Sequence, residues 1–80
     1  MNNTKERVAL CFTNVFPAIK QDEIPKASVT SLAAWNSIAH VTLLSSLAEE
    51  FGVDFEIEDF ETLVSYPLIV EHLEQKFPDA

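Results

Sequence analysis

Eighty residues leave room for one hydrophobic core and not for two, and an apolar content of 48% suits a packed globule rather than a disordered chain. Thirteen acids against five Lys and Arg give a net charge of −8, which disfavours nucleic acid and anionic lipid, since both attract clusters of basic residues. The one cysteine, Cys11, excludes an internal disulfide and leaves too few sulfur ligands for a structural zinc site.

The chain opens on the polar run Met1-Asn2-Asn3-Thr4-Lys5-Glu6-Arg7, and the apolar residues after it are interrupted. Neither a secretory signal nor a membrane span is expected, and the reading is of a cytoplasmic monomer. A first helix is predicted from about Thr4 to Phe16, with Thr4 as N-cap and Val8, Cys11, Phe12 and Val15 on one face. Pro17 disfavours helical geometry at Phe16 and should end it. The next stretch, from Ala18 to Trp35, mixes Pro25 and many polar residues with Ile19, Ile24, Val29 and Leu32. It reads as a long connection pinned to the core by single apolar side chains, and a loop of that length calls for a functional reason.

A second helix is predicted from Ser37 to Phe51. Ile38, Val41, Leu44, Leu47, Ala48 and Phe51 recur at the three-and-four spacing of a buried face, and Gly52, the only glycine, suits the left-handed stop. The opposite face offers Ala39, His40, Thr42, Leu43, Ser45, Ser46, Glu49 and Glu50, with Leu43 assigned to the edge of the core. Apolar and acidic residues alternate from Val53 to Ile57, but no second strand signal exists to pair with them, so this is read as extended loop. Glu58 to Leu63 allows one or two helical turns. A last helix starts behind Ser65 as N-cap, tolerates Pro67 in its first turn, contributes Ile69, Val70, Leu73 and Phe77 to the core, and stops at Pro78. The expectation is a single all-α domain over residues 1–80: a small four-helix bundle of three principal helices and one short one, without strands, and with a long connection between helices one and two.

Within this plan Ser37 is singled out by position. Its hydroxyl stands at a helix N-terminus, where unpaired N–H groups and the positive end of the helix dipole favour a phosphate. The triplet Asn36-Ser37-Ile38 resembles the Asp-Ser-Leu motif of the acyl carrier proteins, including the related peptidyl and aryl carrier domains. The register continues without a gap through Leu47-Ala48-Glu49-Glu50-Phe51-Gly52, then Leu63 and Ser65, to Leu73, which covers nearly the whole chain. The resemblance implies that Ser37 carries 4'-phosphopantetheine, added by a phosphopantetheinyl transferase, with a terminal thiol that holds acyl or aminoacyl groups as thioesters. It implies a carrier without catalysis of its own, serving acyl-activating or condensing enzymes through basic or apolar docking patches.

Two departures stand out. Where the family has an aspartate that helps bring Mg²⁺ and coenzyme A to the serine, Asn36 keeps the shape and the capping oxygen but not the charge a hard cation prefers. Ile38, in place of leucine, is a modest change in volume and is expected half-buried beside the exit of the arm. Trp35 is similar to the tryptophan ahead of the motif in many specialised carriers, and two roles fit it: a loop anchor, or an indole offered to a partner. Partner contacts are also assigned to His40, Glu49 and Glu50. Housekeeping fatty acid carriers of the resembled family place more acids near the start of this helix, whereas its first three turns here are nearly uncharged, so the resemblance implies a specialised fatty acid, polyketide or nonribosomal peptide pathway.

Seven of the thirteen acids fall between Glu49 and Glu61 with no Lys or Arg among them, as either a docking surface or a solvated acidic face. His40 and His72, the two histidines, lack metal-ligand spacing and are expected at the surface. A serine esterase would pair Ser37 with His40, three residues on, yet the chain offers no oxyanion-hole motif. A carrier-like bundle that is never modified and acts only through protein contacts is the alternative that Asn36 and the neutral start of helix two leave open.

Overall fold

Asn36 and Ser65 each precede an apolar run, Pro17 and Gly52 each follow one, and the backbone responds to all four. The computed structural model describes residues 3–79. Its helices are α1 Thr4–Val15, α2 Ser37–Phe51, α3 Ile57–Thr62 and α4 Tyr66–Lys76. Phe16 caps α1, donating its N–H to the Phe12 carbonyl at 2.7 Å. Gly52 ends α2 at φ 66°, a left-handed geometry that a side chain resists. The Ser65 hydroxyl accepts the Leu68 N–H at 3.3 Å, satisfying one of the orphan donors of α4. Thr4 does not cap α1. It is the first helical residue and is buried, and Asn3 holds the cap position without a side-chain hydrogen bond.

The chain is an all-α bundle, without strands among the described residues. Its Cα radius of gyration of 11.4 Å matches the value of about 11.6 Å for a compact domain of this length. Phe12 sits at the centre: Trp35 lies edge-on at 5.2 Å between ring centroids, Tyr66 at 5.6 Å and Phe16 at 6.0 Å. Leu43, Leu44, Leu47 and Phe51 of α2 close over it with Ile69, Val70 and Leu73 of α4. Each such side chain contributes about 1.5–3 kcal/mol when fully buried. At the far end Arg7 ties α1 to α2, donating from Nε to a Glu50 carboxylate oxygen at 2.9 Å and lying 4.1 Å above the Phe51 ring.

The connection from α1 to α2 is more regular than its composition suggests. Ile24–Lys26 form a 3-10 turn that buries Ile24, and Ala27 and Trp35 are buried on either side of a hydrogen-bonded turn over Ser28–Ser31. An isolated antiparallel bridge fastens it to the start of α4, Val29 donating to the Val64 carbonyl and Tyr66 to the Ala27 carbonyl, both at 3.0 Å. Val29, expected as a pin, is instead exposed, because its backbone and not its side chain makes the attachment.

The buried face of α2 is also rotated from the expected one. Ile38 is 80% and Val41 53% exposed, whereas Leu43 is fully buried. With about 100° per residue, Ile38 and Val41 lie about 120° and 60° round from Leu44 on one side, and Leu43 and Leu47 lie on the other. Both arcs are apolar, and the one carrying Leu43 and Leu47 faces the core. Among the described residues no helix is long and apolar enough to cross a membrane.

Candidate functional site

The site forms where the long connection becomes α2. Asn36 is extended at ψ −174°, and its Oδ1 accepts the Ala39 N–H at 2.9 Å while its carbonyl accepts the His40 N–H at 2.8 Å. Asn36 is therefore a working N-cap, and Ser37 is the first helical residue. Its side chain is exposed. Val29, Trp35, Asn36, Ser37 and His40 line a shallow cleft of about 250 Å³. The N–H groups of Ser37 and Ile38 are among those a helix leaves without an intrahelical acceptor, and no acid lies in the first turn of α2. A phosphate ester on Ser37 would meet partial positive charge and no carboxylate within that turn. Ile38 and Val41 present an exposed apolar edge of the same helix, so Ile38 is not the half-buried neighbour expected of it.

Of the two roles that fit Trp35 it takes the anchor, whereas His40 is not at the surface as expected. Trp35 is 2% exposed, enclosed by Phe12 and Phe16, and so anchors the connection rather than offering its indole to a partner. Its Nε1–H donates to His40 Nδ1 at 2.9 Å, and His40 Nε2 lies 2.6 Å from the carbonyl oxygen of Phe60 in α3. An indole N–H only donates and a carbonyl only accepts, so His40 carries its proton on Nε2 and is neutral in this arrangement. His40 is thus a partly buried link between the connection, α2 and α3, not a surface histidine. With both ring nitrogens engaged, it has no lone pair free to activate Ser37 as a nucleophile.

The acidic segment is partly spent on the fold. Glu50, expected as a partner contact, is held by Arg7, whose Nη2 also donates to the Glu50 carbonyl at 2.8 Å. Asp59 accepts the Glu56 N–H at 2.8 Å at the start of α3. His72 lies 3.8 Å from Asp59, and its ring packs against Phe55 and Phe77 at 5.9 and 6.1 Å, so this histidine too is mostly covered. Glu49 stays exposed beside a second shallow depression lined by Leu10, Cys11, Asn14, Ser46 and Glu50. Burial pushes the Cys11 thiol above its ordinary value, and Glu50 adds to the rise, while a hydrogen bond with Ser46 and the charge of Arg7 oppose it. Cys11 is a covered apolar residue and not a reactive thiol. No group of three His, Cys, Asp or Glu side chains among the described residues is placed to hold a metal ion.

The fold therefore brings Trp35, Asn36, Ser37 and His40 together, with Ile38 at the rim. Glu49 lies twelve residues along α2 from Ser37, about 18 Å away at 1.5 Å per residue. Reasoning from sequence missed the Phe60 carbonyl and the engagement of His40. A Trp and a His five residues apart do not share a helical face, and a backbone acceptor twenty residues further on leaves no mark in composition. No protein-family model matches this chain, and no match was found among curated proteins or solved structures.

Proposed function

We propose that this chain is a carrier protein in which Ser37 is esterified with 4'-phosphopantetheine and which shuttles acyl or aminoacyl thioesters between enzymes of a specialised biosynthetic pathway. The observation that carries the reading is the exposed Ser37 hydroxyl at the first position of α2, capped by Asn36, with no acid in that first turn and with its cleft neighbour His40 engaged at both ring nitrogens. Attachment forms a bond from Ser37 Oγ to the phosphorus bearing the pantetheine arm of coenzyme A and breaks the pyrophosphate bond, releasing adenosine 3',5'-bisphosphate. The arm supplies the thiol that bears the cargo, and tethering raises the effective concentration of that cargo at each partner's active site. The exposed edge of Ile38 and Val41 beside Ser37 suits apolar contacts with those partners.

The test is intact-mass measurement after incubation with coenzyme A, Mg²⁺ and a broad-specificity phosphopantetheinyl transferase. Wild type should gain the mass of one arm and Ser37→Ala none. A second reading rests on Asn36, which keeps the capping bond to Ala39 but lacks a charge for Mg²⁺. If wild type gains no mass and Asn36→Asp does, the chain is an unmodified interaction module built on a carrier-like bundle.

A further inference from the structure

We propose that His40 is a positioning residue for modification at Ser37: through the relay Trp35 Nε1–H to His40 to Phe60 carbonyl, it holds the residues ahead of Ser37 in the geometry that a modifying enzyme reads. The proposal rests on the carrier reading and extends it to a residue that neither accepts the arm nor caps the helix.

Ser37 follows a connection of about twenty residues, and such a segment has many conformations unless it is fastened close to the point of use. Its upstream fastenings are the 3-10 turn at Ile24–Lys26 and the bridge at Ser28 and Ser65. From there to Ser37 the one side chain that enters the core is Trp35, with Leu32 partly buried. The indole meets Phe12 edge-on at 5.2 Å and Phe16 at a tilt at 6.1 Å, apolar contacts that bury the ring but leave its N–H without a partner of their own. The 2.9 Å bond to His40 supplies that partner. His40 is itself oriented by the 2.6 Å contact to Phe60, whose ring stands at 90° to the imidazole at 6.1 Å. The connection, α2 and α3 are thereby joined in one register, and Ser37 lies between the two residues of the Trp35–His40 bond.

The acceptor and donor sequence makes the relay directional. Only a group with an acceptor toward Trp35 and a donor toward Phe60 completes it. Glutamine carries both on one planar amide and can partly replace the imidazole. Leucine has neither and leaves the indole N–H of a 2% exposed tryptophan without its partner.

The experiment compares steady-state transfer from coenzyme A to the full-length chain for wild type, His40→Leu, His40→Gln and Trp35→Phe, alongside the indole N–H resonance of Trp35, the only tryptophan. A hydrogen bond of ordinary net strength corresponds to about 3- to 10-fold in a local equilibrium. His40→Leu should therefore raise the KM for the carrier by about that factor with kcat little changed, and should shift the indole resonance. Trp35→Phe, which keeps an aromatic ring in the core, should raise KM similarly should His40→Leu fold poorly, and His40→Gln should lie nearer wild type. Val70→Ala, a core truncation on α4, controls for lost stability and should leave KM unchanged. Equal KM values for wild type, His40→Leu and Trp35→Phe overturn the proposal while leaving the carrier reading intact. Absence of transfer to wild type overturns both.

Discussion

The rotation of α2 about its axis gives the sharpest quantitative test, because two apolar residues five positions apart are expected to behave oppositely. Leu43 is fully buried and Ile38 is 80% exposed. Truncating a buried leucine to alanine costs about 2–5 kcal/mol, the lost transfer energy plus the cavity left behind. Truncating a side chain already in water changes stability by no more than about 0.5 kcal/mol. A chain of this size has a total stability of about 4–12 kcal/mol, so Leu43→Ala should remove about a sixth of it or more. At about 4–8 °C per kcal/mol for so small a domain, a loss of about 3 kcal/mol lowers Tm by about 12–24 °C. Urea unfolding followed by Trp35 fluorescence measures both variants in one assay, and an unchanged slope with denaturant confirms that the folded and unfolded states are comparable. In the transfer assay the order should invert, Ile38→Ala raising the KM of partners that dock beside Ser37 with no loss of Tm. The assigned orientation of α2 is refuted if Ile38→Ala proves the more destabilising of the two.

Removing the cap of α2 with Asn36→Ala should cost about 1 kcal/mol in urea unfolding; Asn36→Asp keeps the acceptor for the Ala39 N–H and places a negative charge at the helix N-terminus, so it should gain about 0.3–1 kcal/mol at low ionic strength and lose that gain in salt. Gly52→Ala should destabilise by about 1–2 kcal/mol through backbone geometry alone, since φ is 66° and an added Cβ would meet nothing within 4 Å; thermal melting without that loss would show that α2 ends in another way. Burial raises the Cys11 thiol above its ordinary 9.0, so the unfolded chain releases this proton first as pH rises. The stabilising contribution is therefore complete below pH 9.0 and is lost as pH climbs through the folded value, and Cys11→Ala should flatten that decline. Tyr66, raised from 10.0 mainly by burial, should keep a further decline in both proteins, and identical alkaline slopes for wild type and Cys11→Ala would contradict the burial argument.

Local physics settles much of this molecule in advance of any packing. Pro17, Asn36, Gly52 and Ser65 mark helix ends because each acts within a few bonds of its own backbone: a ring that restricts the residue before it, an oxygen within reach of a neighbouring N–H, or a missing Cβ. The same locality makes the all-α class, the span of α2 and the position of Ser37 at its start readable from the chain. Tertiary structure alone decided which of two apolar arcs of α2 faces inward, since a helical period describes both arcs equally well and only the carbon available from α1 and α4 selects between them. It also decided that Trp35 turns inward, that His40 joins it to Phe60, and that Glu50 serves Arg7, forty-three residues away. Such pairings depend on where separate segments come to rest in space, and neighbouring residues along the chain do not record that.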